Sequence, residues 1–152
     1  MSNTAGIGDP YWYEWSVGLL FIVHMLNPDN GIKNVTFQST EITGLDDVVV
    51  EYSNGKKRYI QVKHTRGSDT ITFGDLVTPE ESKSGKNKPS LLKYLSSGWK
   101  KARTEGEHID VVLFTNRETG KKPSTTRSGN KIFRPPLNQF YEWLQKKVVL
   151  HK

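Results

Sequence analysis

The first hydrophobic segment of the chain has its apolar residues at helical spacing. Asp9 and Pro10 are typical of the start of a helix, and turn-forming residues occupy positions 27–31. Between them the apolar positions predict one helix with a single buried face, which consists of Trp12, Trp15, Leu19, Ile22, Val23 and Leu26.

Three extended segments follow this helix. Residues 35–38 and 59–63 alternate apolar with polar positions, and residues 47–52 contain a short β-branched run, so each segment predicts a strand. The last two segments are separated by a turn that contains Asn54 and Gly55, a strong signal for a β-hairpin. This region therefore predicts an antiparallel pair of strands.

The second half of the chain predicts a helix, a strand and a helix, connected by basic loops. Residues 91–102 keep a helical period, and residues 109–115 are a nearly continuous apolar run, typical of a strand covered on both faces. Residues 137–148 place apolar side chains on one face of a last helix. The order of elements predicts an α/β fold, and we expect one domain over residues 1–152.

Composition narrows the classes of function. The chain has 152 residues with 22 Lys and Arg against 16 Asp and Glu, and its net charge of +6 favours a polyanionic partner. It has no cysteine, which excludes disulfides, a thiol nucleophile and a cysteine-based zinc site. The longest apolar stretch, residues 15–26, is too short for a membrane span. No basic residue precedes it, whereas a signal peptide begins with basic residues. We therefore expect a cytoplasmic protein with no membrane partner.

The residues that can carry chemistry lie between Glu41 and Lys63. Gln61 and Lys63 are two positions apart in a predicted strand and therefore share one face of the sheet. Across the hairpin, Asp46 and Asp47 stand at the start of the preceding strand. Side-chain oxygens can hold Mg²⁺, which activates water, and a nearby ammonium offsets charge that builds on a phosphate. Phosphodiester cleavage requires such a set of residues.

The turn decides which aspartate faces Lys63. A two-residue turn pairs Asp46 with Lys63, whereas a three-residue loop with a glycine bulge brings Asp47 to the face of Lys63. A slip of one residue moves every side chain to the other face of the sheet, so both aspartates stay candidates on this ground.

This stretch resembles the PD-(D/E)xK nuclease superfamily, in the variant that has glutamine in place of an acid. More closely, it is similar to the double-stranded DNA endonuclease domains at the N-termini of bacterial anti-phage effectors of the CBASS and AVAST types. The resemblance is carried by the aromatic opening with Glu14, by residues 41–50 and by residues 60–64, and it covers most of the chain. It implies a restriction-endonuclease-like core, with a central mixed sheet flanked by helices.

The resemblance also implies a role for each matching residue. Asp47 directly precedes the hydrophobic strand, as the acting aspartate does in the family, and would be the principal metal ligand. Gln61 would supply a second oxygen, Lys63 would be the catalytic lysine, and Glu14 matches the helix acid that completes the metal site. The alternates are Asp46 and Glu41. The implied cofactor is Mg²⁺ or Mn²⁺, although a neutral amide binds such a cation less strongly than a carboxylate does.

Two basic loops flank the second predicted helix and the fourth predicted strand. We expect their side chains to contact DNA phosphates, which raises affinity for any duplex without reading its sequence. The expected contacts are Lys83, Lys86, Lys88, Arg117, Lys121, Lys122, Arg127 and Lys131.

The implied function is Mg²⁺-dependent hydrolysis of double-stranded DNA with little sequence specificity, as part of bacterial antiviral defence. Because such an activity is toxic unless it is regulated, the resemblance also implies a homo-oligomer when active. Its regulator would be a C-terminal sensor or NTPase region, and these residues would be the N-terminal part of a longer protein. The alternatives are a catalytically inactive relative that binds nucleic acid and an oligomerisation module.

Overall fold

The computed structural model describes residues 9–65, 70–81, 87–104, 109–120 and 139. The helices in these ranges are α1 (Asp9–Met25), α2 (Phe73–Val77) and α3 (Leu91–Thr104). The strands are β1 (Ile32–Phe37), β2 (Val48–Tyr52), β3 (Lys57–Lys63), β4 (Thr70–Ile71), β5 (Glu80–Glu81), β6 (Asn87–Lys88), β7 (Ile109–Thr115) and β8 (Glu118–Thr119). The predicted last helix, over residues 137–148, lies almost entirely outside the described ranges. None of the described helices has the length and apolar character needed to cross a membrane.

The chain divides into two compact units. The first comprises Met1–His64 and Leu95–Asn116, and the second comprises Thr65–Tyr94 and Arg117–Lys152. Each unit is assembled from two stretches that are distant in the sequence. Because the stretches are interleaved, no single linker marks a boundary that sequence analysis could detect.

A four-stranded mixed sheet forms the centre of the first unit, in the order β1-β2-β3-β7. Strand β2 is antiparallel to β1 and β3, whereas β7 runs parallel to β3. The predicted mixed α/β architecture is therefore confirmed. The expectation that residues 109–115 form a strand covered on both faces is wrong, because the residues of β7 are mostly half-buried.

The core of the first unit lies between α1 and one face of this sheet. Its buried cluster consists of Val17, Val48, Val50, Ile60 and Val62. Val49 and Tyr59 alternate with these residues, so they point to the other face of the sheet, and they are equally buried. On α3, Gly98 lies against the side chain of Leu45. Both faces of the two central strands are therefore covered, and each fully buried valine or isoleucine contributes roughly 1.5–3 kcal/mol.

Helix α1 packs with a different face from the one that the sequence predicts. Val17 and Gly18 are buried, and Tyr13 and Phe21 pack against the core cluster. The predicted face is exposed instead, with exposed fractions of 65% at Trp12, 43% at Trp15, 54% at Leu19, 61% at Val23 and 78% at Leu26. The prediction is wrong because α1 is apolar on all sides, and helical spacing alone cannot choose between two apolar faces.

A close approach between α1 and β1 selects the face that packs. A Cβ atom on Gly18 would overlap the ring of Phe37, so only glycine at this position lets the helix come so near the strand. The large side chains on the opposite side of α1 would hold the helix further from the sheet.

The β2–β3 hairpin closes through a three-residue loop. The backbone N–H of Tyr52 donates to the carbonyl of Lys56 at 2.8 Å, and Gly55 has a φ of 81°. Glycine is favoured there because a Cβ atom is strained at positive φ.

This loop selects one of the two registers that the sequence leaves open. Val48 pairs with Ile60, so the preceding position of the ladder places Asp47 across from Gln61. Side chains that face each other across an antiparallel pair lie on the same side of the sheet. Asp47, and not Asp46, therefore shares the face of Gln61 and Lys63.

The second unit consists of short elements. Strand β4 pairs in parallel with β8, and β5 pairs antiparallel with β6. The side chain of Thr72 caps α2 in a reciprocal capping box with Asp75. Arg117 donates to the carbonyl of Thr70 at 2.7 Å and lies 3.4 Å from Asp75 Oδ2. Sequence analysis predicted none of β4, α2 and β5.

Replacing Gly55 by valine should destabilise the protein, because a β-branched residue is strained at a φ of 81°. We expect the free energy of unfolding, measured by urea denaturation, to fall by about 1–2 kcal/mol. Asn54→Asp is the matched control in the same loop, because it keeps the side-chain oxygen that accepts from the Lys56 N–H at 3.0 Å. Equal stability of Gly55→Val and wild-type protein would show that the loop does not require the left-handed conformation.

Candidate active site

Backbone pairing holds the two aspartates at the entrance to β2. The N–H of Gln38 donates to the carbonyl of Asp47 at 2.9 Å, and the N–H of Ser39 donates to the carbonyl of Asp46 at 2.7 Å. Hydrogen bonding between these two segments therefore continues beyond the ends of β1 and β2. Gln38 adopts a φ of 49°, a left-handed conformation that is uncommon for a residue other than glycine.

The carboxylate of Asp47 is tied to β3 by two hydrogen bonds. Its Oδ2 atom accepts from the backbone N–H of Val62 at 2.6 Å and from the side-chain amide of Gln61. Both bonds go to the same oxygen, so neither occupies Oδ1. The orientation of this carboxylate is thus set by the strand that carries Lys63.

Gln61 contributes a buried oxygen without a partner. The residue is 4% exposed, and its Oε1 atom has no hydrogen-bond partner among the described residues. A buried acceptor in this state costs about 1–3 kcal/mol. Turning the amide over would not remove the cost, because Oε1 would then face the carboxylate of Asp47, which also can only accept. A hydrogen-bond donor or a cation in contact with this oxygen would remove the cost.

Glu14 of α1 lies within electrostatic range of this cluster. Burial raises the pKa of Glu14, and the charge of Asp47 raises it further, while Lys63 and a hydrogen bond with the Gln38 side chain lower it. Burial likewise raises the pKa of Asp47, against the lowering effects of the Val62 N–H and of Lys63. Lys63 itself is exposed at the end of β3. Two carboxyl groups thus share one partly buried region with one ammonium group.

The other residues predicted around this site are distributed differently. Asp46 lies close enough that its charge raises the pKa of both carboxyl groups. Glu41 instead pairs with Lys57, with 3.5 Å between Oε2 and Nζ. The ring of His64 packs against that of Tyr13, with 4.6 Å between centroids. Asp46 therefore belongs to the surroundings of the cluster, whereas Glu41 is engaged elsewhere.

Two of the predicted phosphate contacts fall within the described ranges. Lys88 is exposed on β6. Arg117 is held by Thr70 and Asp75, as described above, so contacts within its own unit account for its position. The others lie outside the described residues, and they are Lys83, Lys86, Lys121, Lys122, Arg127 and Lys131.

The donor atoms at this site suit a hard cation better than zinc. Within the described residues, no three His, Cys, Asp or Glu side chains come together to hold a metal ion. Two side chains that carry oxygen atoms, Asp47 and Gln61, are in contact here through the amide nitrogen of Gln61, and Glu14 is in electrostatic range. Mg²⁺ and Mn²⁺ favour carboxylate, amide and water oxygens. A cation bound here would give Oε1 a partner. It would also lower the pKa of both carboxyl groups, against the effect of burial.

Sequence analysis missed Gln38. Its side chain bonds to Glu14 and its backbone pairs with Asp47, so it connects the two acidic residues of the cluster. No motif marks it, because its place depends on how β1 runs alongside the residues before β2. Its left-handed φ is visible only in the structure.

Comparisons with known proteins assign no family to this chain. It matches no protein-family model and no curated protein, and it matches no solved structure. Function is therefore inferred from the residues and their geometry.

Replacing Asp47 by asparagine should stabilise the fold at neutral pH. Burial raises the pKa of Asp47, so the ionised carboxylate costs stability, and this cost disappears as the pH falls through that pKa. We expect urea denaturation to give Asp47→Asn a larger free energy of unfolding at neutral pH, by on the order of 1 kcal/mol. The difference from wild-type protein should close as the pH falls.

Asp110→Asn is the matched control, and its effect has the opposite sign. Asp110 Oδ2 lies 2.7 Å from Lys56 Nζ and 3.1 Å from Arg58, and the Lys56 contact does most to hold the pKa of Asp110 below its usual range. Its ionised form therefore adds stability that is present above the unfolded pKa and is lost as the pH falls through the lowered one. Asp110→Asn should be less stable than wild-type protein at neutral pH. A loss of stability in Asp47→Asn as well would contradict the assignment of Asp47 as a costly buried charge.

Proposed function

We propose that this chain is a metal-dependent nuclease that hydrolyses double-stranded DNA with little sequence specificity. The observation that carries the proposal is the side-by-side placement of Asp47, Gln61 and Lys63 on one face of β2 and β3, with an unpartnered oxygen on Gln61. These are a carboxylate, an amide and an ammonium. Phosphodiester hydrolysis uses oxygens to hold a divalent cation and a cationic group to offset charge on the phosphate.

Asp47, Gln61 and Glu14 would hold the cation, which is Mg²⁺ or Mn²⁺. When bound, the cation supplies Lewis-acid polarisation of a phosphoryl oxygen and lowers the pKa of a bound water. The amide N–H of Gln61 and the backbone N–H of Val62 fix the direction of the Asp47 carboxylate. The side-chain nitrogen of Gln61 would therefore orient the Asp47 carboxylate, and its Oε1 atom would be a second ligand of the cation.

Lys63 would act on the phosphate. It is exposed, so a polyanion can reach it, and its charge already lowers the pKa of Asp47 and Glu14. An ammonium whose charge acts on both carboxylates would also offset the negative charge that develops as a phosphodiester bond breaks. It would also position a phosphate beside the cation.

The substrate class follows from charge. The net charge of +6 favours a polyanion, and contacts to phosphates raise affinity for any duplex irrespective of sequence. We include in the proposal that α1 and the sheet β1-β2-β3-β7 form a restriction-endonuclease-like core. The support is the position of Asp47 before β2, the Gln-x-Lys motif on β3 and the acid on α1. The bacterial anti-phage role and the cytoplasmic location rest on the sequence resemblance alone.

One observation favours a second candidate function, a catalytically inactive relative that binds nucleic acid. Gln61 stands where most of the superfamily has a carboxylate. Its amide N–H donates to the Asp47 carboxylate, so Asp47 has a hydrogen-bond partner without any cation. Such a relative would bind DNA in a salt-sensitive manner and would not cleave it.

Cleavage of supercoiled plasmid tests the proposal. We expect wild-type protein at high concentration to nick and linearise plasmid in Mg²⁺ or Mn²⁺ and to be inactive in EDTA. Lys63→Ala should lower the rate by roughly 100-fold or more, because it removes the cation that offsets charge on the phosphate. Agarose-gel quantification of supercoiled, nicked and linear DNA measures the rates.

Lys33→Ala is the matched control for that experiment. Lys33 is also an exposed lysine on a strand of the first unit, but it lies on β1. Its replacement changes net charge by the same amount and should leave cleavage close to the wild-type rate. Cleavage by Lys63→Ala at the Lys33→Ala rate would rule out the role given to Lys63. Salt-sensitive binding without cleavage by wild-type protein would select the inactive relative.

Replacing Gln61 by glutamate should make the fold depend on a divalent cation. The new buried carboxylate would be in contact with Asp47. Two like charges in contact destabilise the folded state unless a cation lies between them. We expect the melting temperature of Gln61→Glu to lie below that of wild-type protein in EDTA. Mg²⁺ should raise it by more than it raises the wild-type value.

Gln61→Leu is the control for the metal, because it keeps the bulk of the side chain and removes the oxygen. Its melting temperature should not respond to Mg²⁺. If Mg²⁺ shifts Gln61→Glu no more than Gln61→Leu, the cation does not bind at this position.

A further inference from the structure

Helix α1 carries a second apolar stripe on the side turned away from its buried face. Trp12, Trp15, Leu19, Ile22 and Leu26 are separated by alternating steps of three and four residues. With about 100° of rotation per residue, the first four fall within about 80° of the circumference of α1, and the centre of this stripe lies about 180° from Val17. Leu26 directly follows the helix. We call these five residues the apolar seam. All but the half-buried Ile22 are exposed, and Leu26 is exposed the most.

The spacing of the seam fits a helix as its partner. Steps of three and four residues are those of the a and d positions in paired helices, whose side chains insert between those of the facing helix. The composition of α1 does not fit the other common partners of an exposed apolar helix. Residues 9–25 contain no lysine or arginine, whereas helices that lie on anionic membranes or on nucleic acid carry basic residues.

The seam is also suited to contact with itself. It has no charged side chain, so two copies can face each other without repulsion between like charges or burial of an unpaired charge. With Val23 at its edge, its side chains expose on the order of 600 Å² per copy, given the size of tryptophan and leucine side chains. Complete burial of these side chains in both copies would remove on the order of 1,200 Å² from solvent, which is at the lower end of the range for specific dimers.

We infer that the chain forms a symmetric dimer in which the seam of one copy packs against the seam of a second copy. In a two-fold interface the same patch is used on both subunits, so a single apolar stripe is sufficient. The inference concerns assembly and does not depend on the proposed nuclease activity. It names α1 and the residue that directly follows it as the surface that buries Trp12, Leu19 and Leu26.

Cross-linking of single-cysteine variants tests this interface directly. The chain contains no cysteine, so one introduced thiol can be linked only to the same thiol of another copy. We expect Leu19→Cys to form a covalent dimer with a short bis-maleimide at least about tenfold faster than Leu20→Cys. The two positions are a matched pair, because they are neighbours on α1 with exposed fractions of 54% and 48% but Leu20 lies off the seam. Equal rates would overturn the proposal.

Sedimentation equilibrium provides an independent measurement on the full chain. We expect wild-type protein and Leu20→Glu to have twice the chain mass of 17.3 kDa, and Leu19→Glu to have the mass of one chain. Circular dichroism verifies that both variants keep their helices, which is expected because both positions are exposed. A wild-type protein that is monomeric up to about 100 μM overturns the inference, as does a Leu19→Glu protein that stays dimeric.

Discussion

The register of the β2–β3 hairpin is the constraint on which the candidate site depends. The three-residue loop that ends at Gly55 places Val48 across from Ile60 in the core and, one position earlier, Asp47 across from Gln61. The 2.6 Å bond from the Val62 N–H to Asp47 exists only in this register. A slip of one residue would exchange the two faces of a strand, so it would separate Asp47 from Gln61 and would also disrupt the packing of the buried side chains on both faces.

On α1, Glu14 and the residues that pack in the core lie on one face of the helix. Glu14 precedes Val17 by three residues, and residues three or four apart lie on one side of a helix. Glu14 therefore lies on the side of α1 that packs on the sheet, and the charges of Asp47 and Lys63 both act on it. The cost of this arrangement is that the core partly buries both carboxyl groups and raises the pKa of each. Stability and the proposed function are in conflict here, as they often are where a site holds charged groups close together.

Much of this could be predicted from the sequence, and the failures have physical causes. The helix, the hairpin and the Gln-x-Lys motif follow from local patterns, so α1, β2 and β3 were predicted with nearly the correct bounds. The choice between Asp46 and Asp47 depended on the loop, which two turn geometries could satisfy equally. The role of Gln38 depends on tertiary pairing and has no local signal. Helix α2 did have one, because Thr72 and Asp75 have the spacing of a capping box.

The error over the buried face of α1 has a cause that reaches beyond prediction. A helix on the surface of a globular protein normally has one apolar and one polar side, and a quarter of the residues in this chain are charged. Yet α1 has large apolar side chains both where it meets the sheet and on the opposite side. Only the face with Gly18 can approach Phe37, so the seam is left on the outside. The pattern that misled the prediction is therefore the same one that supports the inferred dimer, because a helix that is apolar all round is typically covered on its second face as well.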